Sequence, residues 1–145
     1  MLNNKFLMMF FKIMRLLLPC GTLVMGLLDD GYKLKIVDGD MIYLEYTNYF
    51  DSRIVESGDF GPLACMLLCI VTIVCAIVCI FKETERTLTT LASVSSFAMI
   101  GGLVTLVVNN LGLTWIGWIM VGLLAGCLAI SAVQEMKLED ANRKL

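Results

Sequence analysis

Histidine is absent from the 145 residues, which removes the commonest general base and the commonest metal ligand. The Asp-x-Asp-x-Asp-Gly signature of a calcium loop is also missing. No Cys-x-x-Cys pair occurs. None of the six cysteines, Cys20, Cys65, Cys69, Cys75, Cys79 and Cys127, lies in the polar segment 29–60, where a secreted disulfide framework would need them. Cys65/Cys69 and Cys75/Cys79 are four apart. On a helix that spacing puts the Cα atoms about 6 Å from each other with nearly parallel Cβ vectors, a strained geometry for a disulfide. The thiols therefore read as small packing residues, and a membrane thiol oxidoreductase is disfavoured. A net charge of −2 leaves no basic field for nucleic acid. With two prolines, no repeat and no low-complexity linker, the chain reads as a single domain. No catalytic constellation, cofactor site or metal site emerges, so a non-enzymatic protein is expected.

Charge is scarce as well. Charged residues make up 17% of the chain and hydrophobic ones 59%, and the mean hydropathy is +0.84. The run 87–134 carries no charge at all. A bilayer span needs about 20 apolar residues, each rising 1.5 Å, to cross ~30 Å of hydrocarbon. The run holds two spans. The expected fold class is an all-α integral membrane protein, a four-transmembrane-helix bundle with a small extracytoplasmic β-hairpin between helices 1 and 2. The boundaries read as spans at about 9–28, 61–81, 88–108 and 113–133, the β element at 29–60 and a cytoplasmic tail at 134–145. Asn109-Asn110-Leu111-Gly112 reads as the turn between the last two spans.

The first span is the least regular. Lys12 and Arg15 interrupt its start, and Lys5, Lys12 and Arg15 share one helical face. Counted back from Asp29-Asp30, Lys12 and Arg15 fall one to two turns inside the inner boundary. Either they snorkel to the headgroups, or Arg15 is a buried functional charge facing a cavity. Pro19 in mid-span is a candidate kink. A cleaved signal peptide is the rival reading, but no Ala-x-Ala-like site follows the apolar stretch.

Orientation follows from lysine and arginine. Lys5, Lys12, Arg15, Lys82, Arg86, Lys137, Arg143 and Lys144 share one side, against Lys33, Lys35 and Arg53 on the other. The positive-inside rule puts both termini in the cytoplasm, at the plasma or inner membrane. Trp115 and Trp118 then sit at the outer interface, where tryptophan is favoured.

In lipid, helices associate chiefly by close packing, so small residues mark the contacts. Cys65, Cys69, Thr72, Ala76 and Cys79 form one stripe; Ser95, Ala98, Gly102, Thr105 and Asn109 form another. Gly122, Ala125, Ala129 and Ala132 form a third, beside Gly122-x-x-x-Gly126. Cys65, Cys69, Gly102, Gly122 and Gly126 are the candidate packing residues, with Gly122 and Gly126 serving internal packing or a homodimer. A pore lined by Ser93, Ser95, Ser96, Thr105 and Asn109 needs an oligomer, because four helices enclose little.

Residues 32–37 and 40–46 read as two strands joined at Asp38-Gly39, a strong hairpin turn. Residues 52–56 are a candidate third strand. Tyr43, Tyr46, Tyr49 and Phe50 are the candidate partner-binding residues: the tyrosines rest on the membrane surface and bundle rim, or present a binding face. The order of span, outer β element, span, short loop, span, tight turn and span resembles the claudin-like tetraspan layout. That resemblance is one of topology; the Trp and the Cys pair of that family's first outer segment are missing here, so its junction-forming role does not carry over. The partners expected are the lipid bilayer and a protein partner or a second copy. The function expected is an accessory or interaction subunit, with a small oligomeric transporter or channel as the alternative.

Overall fold

The computed structural model describes residues 2–108 and 112–144. Helix α1 (Leu2–Gly26) leads into strands β1 (Tyr32–Asp38) and β2 (Met41–Thr47). A short helix α2 (Ser52–Glu56) follows, then α3 (Gly61–Phe81), α4 (Glu85–Val108) and α5 (Trp115–Arg143). Among the described residues four helices are long and apolar enough to cross a bilayer, the build of a multi-pass membrane protein. They form a ring in which α1 packs on α3 and α5, α3 on α4, and α4 on α5. The hairpin caps one end, and the chain termini and the α3–α4 connector share the other.

The helix ends have local causes. Pro62 enters the first turn of α3, where its missing N–H costs no intrahelical bond. Thr84 and Thr87 open α4 by bonding reciprocally, Thr84 N to Thr87 Oγ1 at 2.9 Å and Thr87 N to Thr84 Oγ1 at 3.2 Å. Thr114 caps α5, accepting from Gly117 N at 3.1 Å. Helix α5 runs 29 residues, so the segment 134–143, expected as a tail, continues the helix. Of the expected turn 109–112, residues 109–111 lie outside the described residues.

Pro19 sits inside α1. Lacking an N–H, it leaves the Arg15 carbonyl without its usual donor. The Cys127 thiol of α5 takes that place, donating to Arg15 O at 3.7 Å. Ser95 Oγ of α4 lies 3.5 Å from Cys127 Sγ, so one sulfur joins three helices.

Two local expectations change. The hairpin loop is Gly39-Asp40, one residue later than Asp38-Gly39, since Asp38 pairs with Met41 in the ladder. Gly39 at φ 60° takes the first central position, the pattern of a type II′ turn. Residues 52–56 are helical and not a third strand. Asp51 caps them by accepting from Arg53 N at 2.9 Å, and Ile54 turns into the core. Arg53 also bridges Asp51 and Glu45, tying α2 to β2. The Arg53 guanidinium beside Asp51 holds that carboxyl well below its usual range.

The seam on α3 is wholly buried: Cys65, Cys69, Thr72, Ala76 and Cys79 all face the bundle. On α4, Ser95, Ala98, Gly102 and Thr105 do the same. The hydroxyls of Thr72, Ser95 and Ser96 donate back to carbonyls four residues earlier, and Ser93 is exposed. Helix α5 departs from expectation. Its buried stripe is Ile116, Gly117, Met120, Leu124, Cys127, Ser131 and Gln134. Gly122 and Ala129 are exposed, and a Cβ on Gly122 meets nothing within 4 Å. Ile116, Met120 and Leu124 fill much of that stripe, and Gly122 and Ala129 turn outward while Gly117 stays inside. Gly126 does pack: a Cβ there would stand 3.3 Å from the Leu18 side chain of α1.

Candidate functional site

Two polar constellations close the ends of the bundle. At the hairpin end Asp59, just ahead of α3, is 1% exposed. Its Oδ2 accepts from the Tyr32 hydroxyl at 2.8 Å and its Oδ1 from Gly61 N at 3.0 Å, at the positive end of the α3 dipole. Tyr32 stacks edge-on against Tyr49, with ring centroids 6.4 Å apart. Tyr49 N donates to Gly26 O at 3.0 Å, and Thr114 Oγ1 donates to Gly31 O at 2.7 Å. These bonds fasten the base of the hairpin to α1, α3 and α5. Burial pushes the Tyr49 phenol up, and the Asp59 carboxylate adds to that, so it stays protonated.

Tyr49 is thus a core residue, 2% exposed, and differs from the surface role expected for it. Its aromatic ring fills the gap above Gly117, where a Cβ would stand 3.0 Å from the Tyr49 hydroxyl. Tyr43, Tyr46 and Phe50 are exposed. In the ladder Tyr43 pairs with Ile36 and Tyr46 with Lys33, so the two tyrosines point to opposite faces of the sheet. The four aromatics do not form one surface. What β2 offers instead is a free edge flanked by exposed Met41, Ile42 and Leu44.

The Tyr32–Asp59 bond has a measurable consequence. Tyr32→Phe leaves a buried carboxylate with one donor fewer, at a cost of about 2 kcal/mol. Chemical unfolding of the purified protein in micelles reads that loss. An unchanged midpoint would show that Asp59 is solvated.

At the terminal end Arg15 is 1% exposed. Its Nη2 lies 3.8 Å from Glu83 Oε1 in the α3–α4 connector, and Lys12 Nζ lies 3.1 Å from Glu83 Oε2. Neither Arg15 Nη atom makes a hydrogen bond among the described residues. Arg15 is thus enclosed by the bundle. Lys137 Nζ of α5 sits 5.7 Å above the Phe11 ring.

Asp59, Glu83 and Gln134 were not singled out from the sequence. The signal for Asp59 was its place at the border of the charge-free run 60–81, and Glu83 lies in the charged connector 82–86 between two such runs. Among the described residues no cluster of three metal-ligating side chains occurs. Compared with known proteins, the chain matches no family model, no curated protein and no solved structure. The functional reading therefore rests on this geometry alone.

Proposed function

We propose that the chain is a non-enzymatic multi-pass membrane protein that docks a partner protein through β2. Both termini lie in the cytoplasm and the hairpin lies outside, at the plasma or inner membrane, as the lysine and arginine distribution favours. The observation that carries the reading is the hairpin's far strand. Met41 is 73% exposed and Ile42 63%, on opposite faces of a strand whose outer edge is unpaired. An apolar free edge of this kind pairs with a strand from another chain, main-chain bonds giving affinity and side-chain pockets giving specificity. The base of the hairpin is fixed to three helices, so the edge is presented at a defined height.

A photo-reactive residue at position 42 tests this in native membranes, with the outward-facing position 74 of α3 as control. The expected result is one reproducible heteromeric adduct from position 42 and lipid adducts alone from position 74. Lipid adducts alone from both would overturn the reading. The alternative, an oligomeric transporter or channel, draws its support from buried Arg15; Arg15→Gln in flux assays on vesicles is its test, and an unchanged leak at equal expression argues against it.

A further inference from the structure

Asp59 is a carboxylate shut away from water, and no ion pair among the described residues includes it. Both its oxygens accept, Oδ2 from the Tyr32 hydroxyl and Oδ1 from Gly61 N, the pattern of the ionised form. A buried charge held by neutral donors alone is costly. Beside it, Thr105 of α4 is 1% exposed, and its Oγ1 has no hydrogen-bond partner among the described residues. Thr72, Ser95 and Ser96 each donate to the carbonyl four residues back. Thr105 leaves the corresponding carbonyl, Gly101 O, without its hydroxyl.

Gly61 brings these groups to one place. The position of a Cβ on Gly61 lies 2.7 Å from Gly101 O, 3.0 Å from Thr105 Oγ1 and 3.1 Å from Asp59 Oδ1. Three oxygens, one of them charged, thus converge beside a residue with no side chain. A carbon is repelled at such distances, whereas a cation draws oxygens closer than a carbon can. The helix dipoles agree. The oxygens of α4 lie toward its C-terminal, negative end, while Asp59 covers the positive end of α3. Ligand chemistry narrows the choice of cation. Calcium takes about 6–8 oxygens, and a dication beside one carboxylate leaves a buried charge uncovered. Transition metals favour nitrogen or sulfur. Backbone meets backbone where α3 and α4 cross here, so the ion must be small.

We propose that Asp59, Thr105 and the Gly101 carbonyl bind a sodium ion, which pins the start of α3 to the end of α4 beneath the hairpin. Asp59 supplies the charge, and Thr105 Oγ1 and Gly101 O supply neutral ligands. Asp59 stands just outside the charge-free run 60–81, at the border with water. The ion therefore enters by local opening of the hairpin base and crosses no hydrocarbon. Bound sodium stabilises the folded chain by mass action.

The test is thermal unfolding of the purified full chain in neutral micelles, with sodium, potassium or choline chloride at equal ionic strength. Raising sodium about thirtyfold, with choline making up the balance, lifts the midpoint by about 4 °C. Potassium, the larger ion, gives a smaller rise. Thr105→Val keeps the shape of the side chain, lacks the orphaned oxygen and unfolds no earlier in choline, and its sodium rise is lost. Asp59→Asn removes the charge and loses the rise as well. Equal midpoints in sodium and choline for the native chain, an equal rise with potassium, or a full sodium rise in either variant overturns the proposal.

Discussion

Glu83→Ala is expected to destabilise the protein by about 3–5 kcal/mol, and adding Arg15→Leu to that variant is expected to restore most of the loss. The argument rests on an asymmetry. Arg15 is enclosed by the bundle, and its ion-pair partner is one carboxylate at 3.8 Å. Removing Glu83 leaves a guanidinium buried without compensation, the costly outcome. Removing Arg15 leaves Glu83, 20% exposed, still paired with Lys12 at 3.1 Å. That loss is small, because no charge is left buried, although Leu fills only part of the space that Arg15 occupied. Unfolding in micelles for the two single variants and the double variant forms a complete cycle. If Glu83→Ala costs no more than Arg15→Leu, the guanidinium reaches water by snorkelling and the buried-charge account fails.

Gly61→Ala is expected to cost about 2–3 kcal/mol, while Gly122→Ala costs nothing. At Gly61 a Cβ would stand 2.7 Å from the Gly101 carbonyl oxygen, 3.0 Å from Thr105 Oγ1 and 3.1 Å from Asp59 Oδ1. The nearest of these is backbone of α4, which cannot turn aside as a flexible side chain can, so α3 and α4 must separate at their closest approach. At Gly122 the added methyl meets open space. There the helix preference for Ala over Gly, about 0.5–1 kcal/mol, shows as a slight gain. Parallel thermal unfolding of the two variants decides the point. Equal effects would mean that the α3–α4 contact is looser than described, or that Gly122 lies in an interface between copies.

The contrast between these glycines marks how far the fold was legible in the sequence. Four spans and a hairpin are readable because each depends on local quantities: the length of an apolar run, the place of the charges and a Gly in a two-residue turn. The packed faces of α3 and α4 are readable too, since each helix carries one stripe of small residues and little else at that spacing. The spanning part of α5, 115–133, is apolar on all sides, so no contrast in polarity separates its inner from its outer face. Its inner stripe mixes Met120 and Leu124 with Gly117, Cys127, Ser131 and Gln134, while Gly122 and Ala129 sit outside. The polar constellations are long-range, which is why single positions looked ordinary. Tyr32 meets Asp59 across 27 residues, and Arg15 meets Glu83 only because α1 and the connector share one end. Tyr49 is the residue the sequence misplaced, because an aromatic between two polar segments fits a rim and a core equally well.

The claim beneath all of this is that the chain crosses the bilayer four times, with its termini on one side and the hairpin on the other. Labelling of Asp40→Cys and Lys144→Cys variants in intact cells with a membrane-impermeant maleimide tests it, with the native chain as blank. The account predicts labelling at position 40 alone, and at position 144 only after the membrane is permeabilised. Labelling of both positions in intact cells, or of position 144 alone, would contradict it.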